Sequence, residues 1–244
     1  LRSKEWKTAS NSRQFESIQL NRVDANLIEV VVKYNLNNID SSNKLTYSIN
    51  SKGVLNVKNE FIYGGKLNDA QMPRFGMNFI MPKEYNNVIW YGRGPHENYI
   101  DRKSSAFVGL YNNLVEDLDF EYSRPQENGY RTDVRWLKVL NKNNVGFEIR
   151  GEPFISFSAH YNTIEDFDDG LIAQKPGETL AVRQRLVKMQ RKPIDVPKRD
   201  FISLNIDLKQ MGVGGDNSWG ARTLKKYTIE PGNYTYSYVI KPVN

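Results

Sequence analysis

The sequence predicts an all-β, antiparallel protein. Three observations carry that expectation. Apolar and polar residues alternate with period two through most of the chain, the alternating segments are rich in β-branched and aromatic residues, and turn signals separate them. Some dozen strands without intervening helices exclude a parallel βαβ fold and leave a sandwich or a barrel. The 244 residues contain no low-complexity linker and no clear internal repeat, so one large domain spanning 1–244 is the economical reading.

Taken in order, "NLIEVVVKYNL" (26–36) and "KLTYSINSKGVLNVKNEFIY" (44–63) are the first strand-forming stretches. Ser51-Lys52-Gly53 interrupts the second as a hairpin turn, with glycine at the positive-φ position. Strands are expected over 74–81, 87–91 and 106–111. "DVRWLKVLNKNNVGFEIRG" repeats the hairpin plan with Asn141 to Asn144 as its turn. Further strands are expected over 153–159, 179–190, 201–209 and 234–241. The only helix-like piece follows Thr163, where Thr-Ile-Glu-Asp-Phe suits one or two capped turns.

Composition narrows the chemistry. With no cysteine, disulfides, zinc–thiolate sites and cysteine nucleophiles are excluded, and the choice between cytoplasm and periplasm stays open. No run approaches 18 apolar residues, so no membrane span is expected. The opening "LRSKEWKTAS" lacks the apolar core of a signal peptide and an initiator methionine, which suggests a fragment or a processed chain. A net charge of +6 raises nucleic acid as a partner. The densest basic stretch, "VRQRLVKMQRKPIDVPKR" (182–199), alternates with apolar residues and then meets two prolines. That reads as a solvated edge strand and loop, and no nucleic-acid-binding motif accompanies it.

Most candidate motifs fail on their own requirements. Gly92 and Gly94 lack a βαβ setting for a dinucleotide fingerprint, and no Gly-Lys-Ser/Thr follows the glycines of the 210s. His96 and His160, the only histidines, would need carboxylate help such as Glu97 to hold a metal. Satisfying polar groups of buried loops is the favoured role for both. "EDFDDG" (165–170) has Phe167 at the third position of a calcium loop and Pro176 at the twelfth, so it reads as a solvated acidic turn. Arg131, Asp133 and Arg135 alternate and should share one strand face, opposite Val134 and Trp136, as a surface ladder or the lining of a sugar-sized groove. Nothing nominates the two carboxylates a glycosidase needs. "QMGVGGDNSWG" (210–220) is the most unusual stretch. Its glycines imply positive-φ turns or close backbone approach, and Trp219 is either a plug for the core or a contact surface.

Four blocks together carry a family resemblance: "MPRFGMNF", "WYGRGPHENYIDRKSSAFVGLY", "RPQENGYRTDVRW" and "LNIDLKQMGVGGDNSWG". In this order, over residues 72–220, they resemble the C-terminal domain of family 2 β-galactosidases, also called the small chain. The resemblance implies a galactose-mutarotase-like antiparallel supersandwich of two large sheets packed face to face. It implies that the catalytic glutamates, and the magnesium and sodium ligands, lie in an upstream barrel domain, so this chain itself should hold no cofactor. It also implies galactosides and that barrel as partners, with an oligomer possible for the whole enzyme. A tryptophan-containing segment that usually opens the domain is missing, so the chain is expected to begin inside it, and the family's histidine-containing stretch is replaced by "MQRKPIDVPKRD" (189–200). One binding residue transfers: the tryptophan of the GGD-x-SW block, which in relatives enters the galactoside pocket, stands here at Trp219. Gly214, Gly215, Asp216 and Ser218 are its expected loop supports. The alternatives are a stand-alone carbohydrate-binding or mutarotase-like module and a structural oligomerisation domain.

Overall fold

Alternation becomes strand almost wherever it occurs. The structure, a computed structural model, describes residues 4–67, 71–167, 192–215, 217 and 221–244. Among the described residues a six-residue helix, α1 (Lys4–Ala9), precedes eleven antiparallel strands. These are β1 (Gln14–Arg22), β2 (Leu27–Leu36), β3 (Ser41–Asn50), β4 (Leu55–Ile62), β5 (Arg74–Pro82), β6 (Asn87–Gly94), β7 (Phe107–Leu114), β8 (Arg131–Leu140), β9 (Gly146–His160), β10 (Phe201–Gln210) and β11 (Tyr234–Val243). Among the described residues no helix is long and apolar enough to cross a membrane.

One hydrogen-bonded sheet runs β1-β2-β3-β4-β11-β9-β8-β6-β7, and β10 branches from β9 to carry β5. The branch exists because β9 is 15 residues long. Its first half, Gly146 to Glu152, pairs with β11, and its second half, Ser156 to His160, pairs with β10. The sheet thereby folds over itself, and the two layers expected to be separate sheets are continuous through β9.

Aromatic side chains fill the space between layers. Phe75 on β5 lies 5.9 Å from Phe61 on β4 and 5.5 Å from Tyr236 on β11. Phe79 meets Tyr238 edge-on at 6.3 Å. The Tyr236 hydroxyl donates to the Ile206 carbonyl at 2.9 Å, so even the polar tip of a buried ring ties β11 to β10. Farther along, Trp90 is fully buried against Phe157, and its indole nitrogen donates to the Arg93 carbonyl.

Both expected hairpins form. Gly53 takes φ 71° in the β3–β4 turn, and Asn144 takes φ 61° in the β8–β9 turn with its N–H on the Asn141 carbonyl at 2.9 Å. The strand expected over 153–159 is the second half of β9, and that expected over 179–190 lies outside the described residues. Ile164–Phe167 forms a single 3-10 turn, as the capped-turn reading anticipated.

Three readings need correction. Helix α1 and strand β1 were not foreseen. A six-residue helix is too short to show a period, and β1 is an edge strand, exposed on nearly every residue, so no apolar run marks it. The acidic turn is not solvated throughout: Glu165 is exposed, but Asp166 is buried, with both oxygens taking bonds from Arg199 at 3.0 and 2.5 Å, and 168–170 lie outside the described residues. Finally, the polar face of β8 does not exist. Its pairing with β9 shifts register on both sides of Val134, and Asp133 takes φ 53°. Arg131 is consequently buried, donating to the carbonyls of Leu118, Gly129 and Pro95, with its guanidinium 5.6 Å from the Trp90 ring centre. Burial lowers its pKa to about 10. Asp133 instead binds Arg93 at 2.6 Å and Lys103 at 2.8 Å. Burial opposes its charge, but those two cations outweigh burial and hold its pKa below the usual carboxylate range.

Candidate functional site

The glycine-rich stretch leaves the end of β10 and is held from three sides. The Met211 N–H donates to the Pro73 carbonyl at 2.9 Å, and the Gly212 N–H to the Tyr227 carbonyl at 2.8 Å. The Gly214 N–H donates to Asp101 Oδ2 at 2.7 Å, and the Thr223 hydroxyl reaches the same oxygen at 3.3 Å. One carboxylate oxygen thus joins the outgoing and returning arms of the loop.

Here the glycines serve close approach and not positive φ, since the positive-φ glycines among the described residues are Gly53, Gly65 and Gly129. A β-carbon on Gly212 would sit 2.6 Å from both Asp101 Cγ and Thr223 Oγ1. On Gly215 it would sit 2.0 Å from the Ala221 carbonyl oxygen. Backbone meets backbone at that point, so Gly215 and Ala221 form a neck. Of the residues nominated from sequence, Gly214 and Gly215 are brought to this neck. Asp216, Ser218 and Trp219 lie outside the described residues. Asp101 was missed. Its signal was available only as an acid inside the second unusual block, with no spacing to link it to the 210s.

Asp101 stands on a stiff mount. Tyr99 and Arg102 close a tight turn, with the Arg102 N–H on the Tyr99 carbonyl at 2.9 Å. Arg102 lies 4.8 Å over the Tyr99 ring, and Tyr99 stacks on Tyr130 at 5.5 Å. Glu97 takes bonds from Arg102, the Tyr122 hydroxyl and the Gly129 N–H, the last at 2.7 Å. Blocks two and three of the sequence are therefore one physical unit, and block four is pinned to it through Asp101.

Beside the loop base, a small open depression is lined by Arg74, Glu127, Asn128, Ser158, His160 and Asn205, among others. Its polar groups are already committed to one another. Arg74 binds Gln210 and Glu127, each at 2.9 Å, and lies 3.2 Å from Asp207. Burial opposes the Arg74 charge, but the Asp207 and Glu127 carboxylates outweigh it and push the pKa up. Asp207 is fully buried, and its oxygens receive no well-aligned hydrogen bond. Burial raises its pKa to about 7, against the pull of Arg74. His160 is buried with Nδ1 2.5 Å from Asp119, in keeping with the structural role expected of it, whereas His96 is exposed and meets only Ser105. Asn205 binds Ser158 and Asn78. Among the described residues no group of three or more His, Asp or Glu side chains is placed to hold a metal ion. The depression is a polar network, satisfied by internal hydrogen bonds except at Asp207, that ties together the β5–β10 end from which the glycine-rich stretch departs.

The profile of the beta galactosidase small chain family matches residues 2–240. The chain belongs to that family. Over 243 residues it is 30% identical to a beta-galactosidase of Priestia megaterium, a match covering 99% of this chain and 21% of that protein. A beta-galactosidase of Streptococcus thermophilus is 26% identical over 98% of this chain and 21% of its own length. The chain thus spans about a fifth of the curated relatives it matches. Among solved structures it is similar to a galactose mutarotase related enzyme from Lactobacillus acidophilus, at 10% identity and a TM-score of 0.33, covering 94% of this chain and 72% of that one. It is also similar to a GH36 alpha-galactosidase from Geobacillus stearothermophilus, at 10% identity and a TM-score of 0.43, covering 95% of this chain and 28% of that one. Family membership agrees with the four-block resemblance and with the antiparallel architecture.

Proposed function

We propose that this chain is the C-terminal domain of a β-galactosidase and completes the galactoside site of the whole enzyme through Trp219. The single observation that carries the proposal is family membership over residues 2–240 by a chain spanning a fifth of its full-length relatives. Hydrolysis needs one carboxyl to protonate the leaving oxygen and another to attack or to activate water. No glutamate here stands in the family's catalytic motifs, and those residues, with the magnesium and sodium ligands, belong to the upstream barrel in this reading. The chain's own contribution is binding. A flat aromatic on a short loop presents a large area to the apolar face of a sugar ring and has few rotamers to freeze. In sequence Trp219 stands between Gly215 and Ala221, whose backbones meet, and that close approach supports the reading.

The test is Trp219→Ala in the full-length enzyme. Losing the contact should cost about 1–3 kcal/mol of binding, raising KM for an aryl β-galactoside roughly 5- to 150-fold. The melting temperature should stay within a few degrees of wild type. A core plug would behave oppositely, with about 3–5 kcal/mol lost from stability and KM retained. That second outcome would reject the binding role.

A further inference from the structure

We infer that the bare apolar face of β1, β2 and β3 is a docking surface for β-strands of the same polypeptide outside residues 1–244, which extend the second layer from the free edge of β5. This rests on the reading of the chain as one part of a longer β-galactosidase, and it gives a partner to a surface that the sugar site leaves unused.

The strand register locates the point at which the core loses its cover. Antiparallel pairing lines up Tyr238, Val57, Tyr47, Val30 and Leu20 across β11, β4, β3, β2 and β1, all on one face. Tyr238 and Val57 are fully buried, Tyr47 and Val30 are half-buried, and Leu20 is 72% exposed. In the neighbouring row Asn59, Leu45 and Val32 stay buried as far as β2, and Ile18 on β1 is 60% exposed. Phe15, Ile28 and Ile49 widen the same exposed face. The opposite face carries Gln19, Asn21, Glu29, Lys33, Lys44 and Ser48, so it is the polar side of these strands. The bare face is therefore the core face, continued beyond its cover.

That cover ends at β5. Phe75 reaches Phe61 and Tyr236, and Phe79 reaches Tyr238, so β5 lies over β4 and β11. Strand β10 holds one edge of β5, and among the described residues no strand pairs with the other. Strands β3, β2 and β1 thus run past the last strand of the second layer, an overhang of about 14 Å at the usual spacing of paired strands. An open strand edge leaves backbone groups unpaired, and apolar side chains bare beside it forfeit their burial. Two or three further strands on the edge of β5 would remove both costs together. Continuity with the core makes the missing cover part of the same fold, and the polypeptide has the length to supply it. The match to the Priestia megaterium relative covers 99% of this chain and only 21% of that protein.

Photocrosslinking in the full-length enzyme tests the proposal, with photoreactive benzoylphenylalanine in place of Leu20. The same group in place of Gln19, on the polar face, is the control, and Ile18 is the second site if the first variant fails to fold. Mass spectrometry identifies the crosslinked peptide. The expected result is a crosslink within one molecule to a peptide outside residues 1–244, at a yield about fivefold or more above the control, because only packed side chains come within contact distance. A yield equal to the control would overturn the proposal, since the face would then be bare in the whole enzyme. So would a crosslink to another part of residues 1–244, which puts the cover inside this chain, or a crosslinked dimer, which makes it a second copy. Hydrogen exchange over Arg74–Pro82 reads the edge of β5 in the same enzyme. Protection along both edges is expected, and rapid exchange of the amides not bonded to β10 would overturn the strand pairing. Activity of the unmodified enzyme towards an aryl β-galactoside keeps the two readings apart. An inactive enzyme with the expected crosslink rejects the galactosidase reading alone, and an active enzyme without it rejects this one.

Discussion

Asp207 shows how a single buried group can set the pH dependence of stability. It sits opposite Gly76 in the β5–β10 register, its carboxylate lying against the glycine, and it has Arg74 at 3.2 Å. Burial raises its pKa from 3.8 to about 7, so the folded chain holds this proton more tightly than the unfolded chain does. The sign follows: the stabilisation is fully present below about pH 4 and is lost as pH climbs through about 7. Thermal unfolding followed across that window should show wild-type stability falling, with Asp207→Asn giving a flatter profile. Parallel profiles for the two proteins would show that Asp207 does not titrate in this way. None of this was legible in "LNIDLKQ", where an acid at an alternating position reads as surface. Its burial comes from β5 closing over β10, a partner more than 120 residues away in sequence. Asp101, whose carboxylate accepts from the Gly214 N–H, likewise carried no mark in the sequence.

At the scale of elements, period-two patterning located strands well wherever one face is buried, and failed where that condition failed. Strand β1 is an edge with almost no buried residue, so its alternation has nothing to report. Strand β8 failed for a different reason. Alternation assumes that each residue flips the face, and a left-handed residue at Asp133 breaks the count. That is why Arg131, expected on a polar face, lies under Trp90 and satisfies three carbonyls. Gly76 offers a direct test of the β5–β10 pairing. A β-carbon there would fall 1.7 Å from Asp207 Oδ1 and 2.8 Å from Asp207 Cα, and the backbone contact cannot be relieved by a rotamer change. Gly76→Ala should therefore destabilise the chain by about 1–3 kcal/mol, seen as a lower urea midpoint. An unchanged midpoint would mean that the two strands do not approach as described.

Over the whole molecule, one long strand is the organising device. Because β9 pairs with β11 in its first half and β10 in its second, it links the two layers and brings the ends of β5, β8 and β10 together. The four blocks that carry the family resemblance converge there. Arg74 and Gln210 bond at the loop base, Glu97 binds the Gly129 N–H, and Asp101 binds the Gly214 N–H. The result is a cross-braced platform at the base of the glycine-rich stretch, beside a polar depression. Magnitudes decide what such a platform can do alone. One aromatic contact worth about 1–3 kcal/mol falls short of the roughly 4 kcal/mol that a Kd of 1 mM represents. In the proposed function the chain completes a sugar site and does not constitute one. Calorimetric titration of the purified chain with a non-hydrolysable thiogalactoside addresses it most directly. No saturable binding is expected up to about 1 mM ligand, and saturable binding with a Kd below about 1 mM would contradict the proposed function.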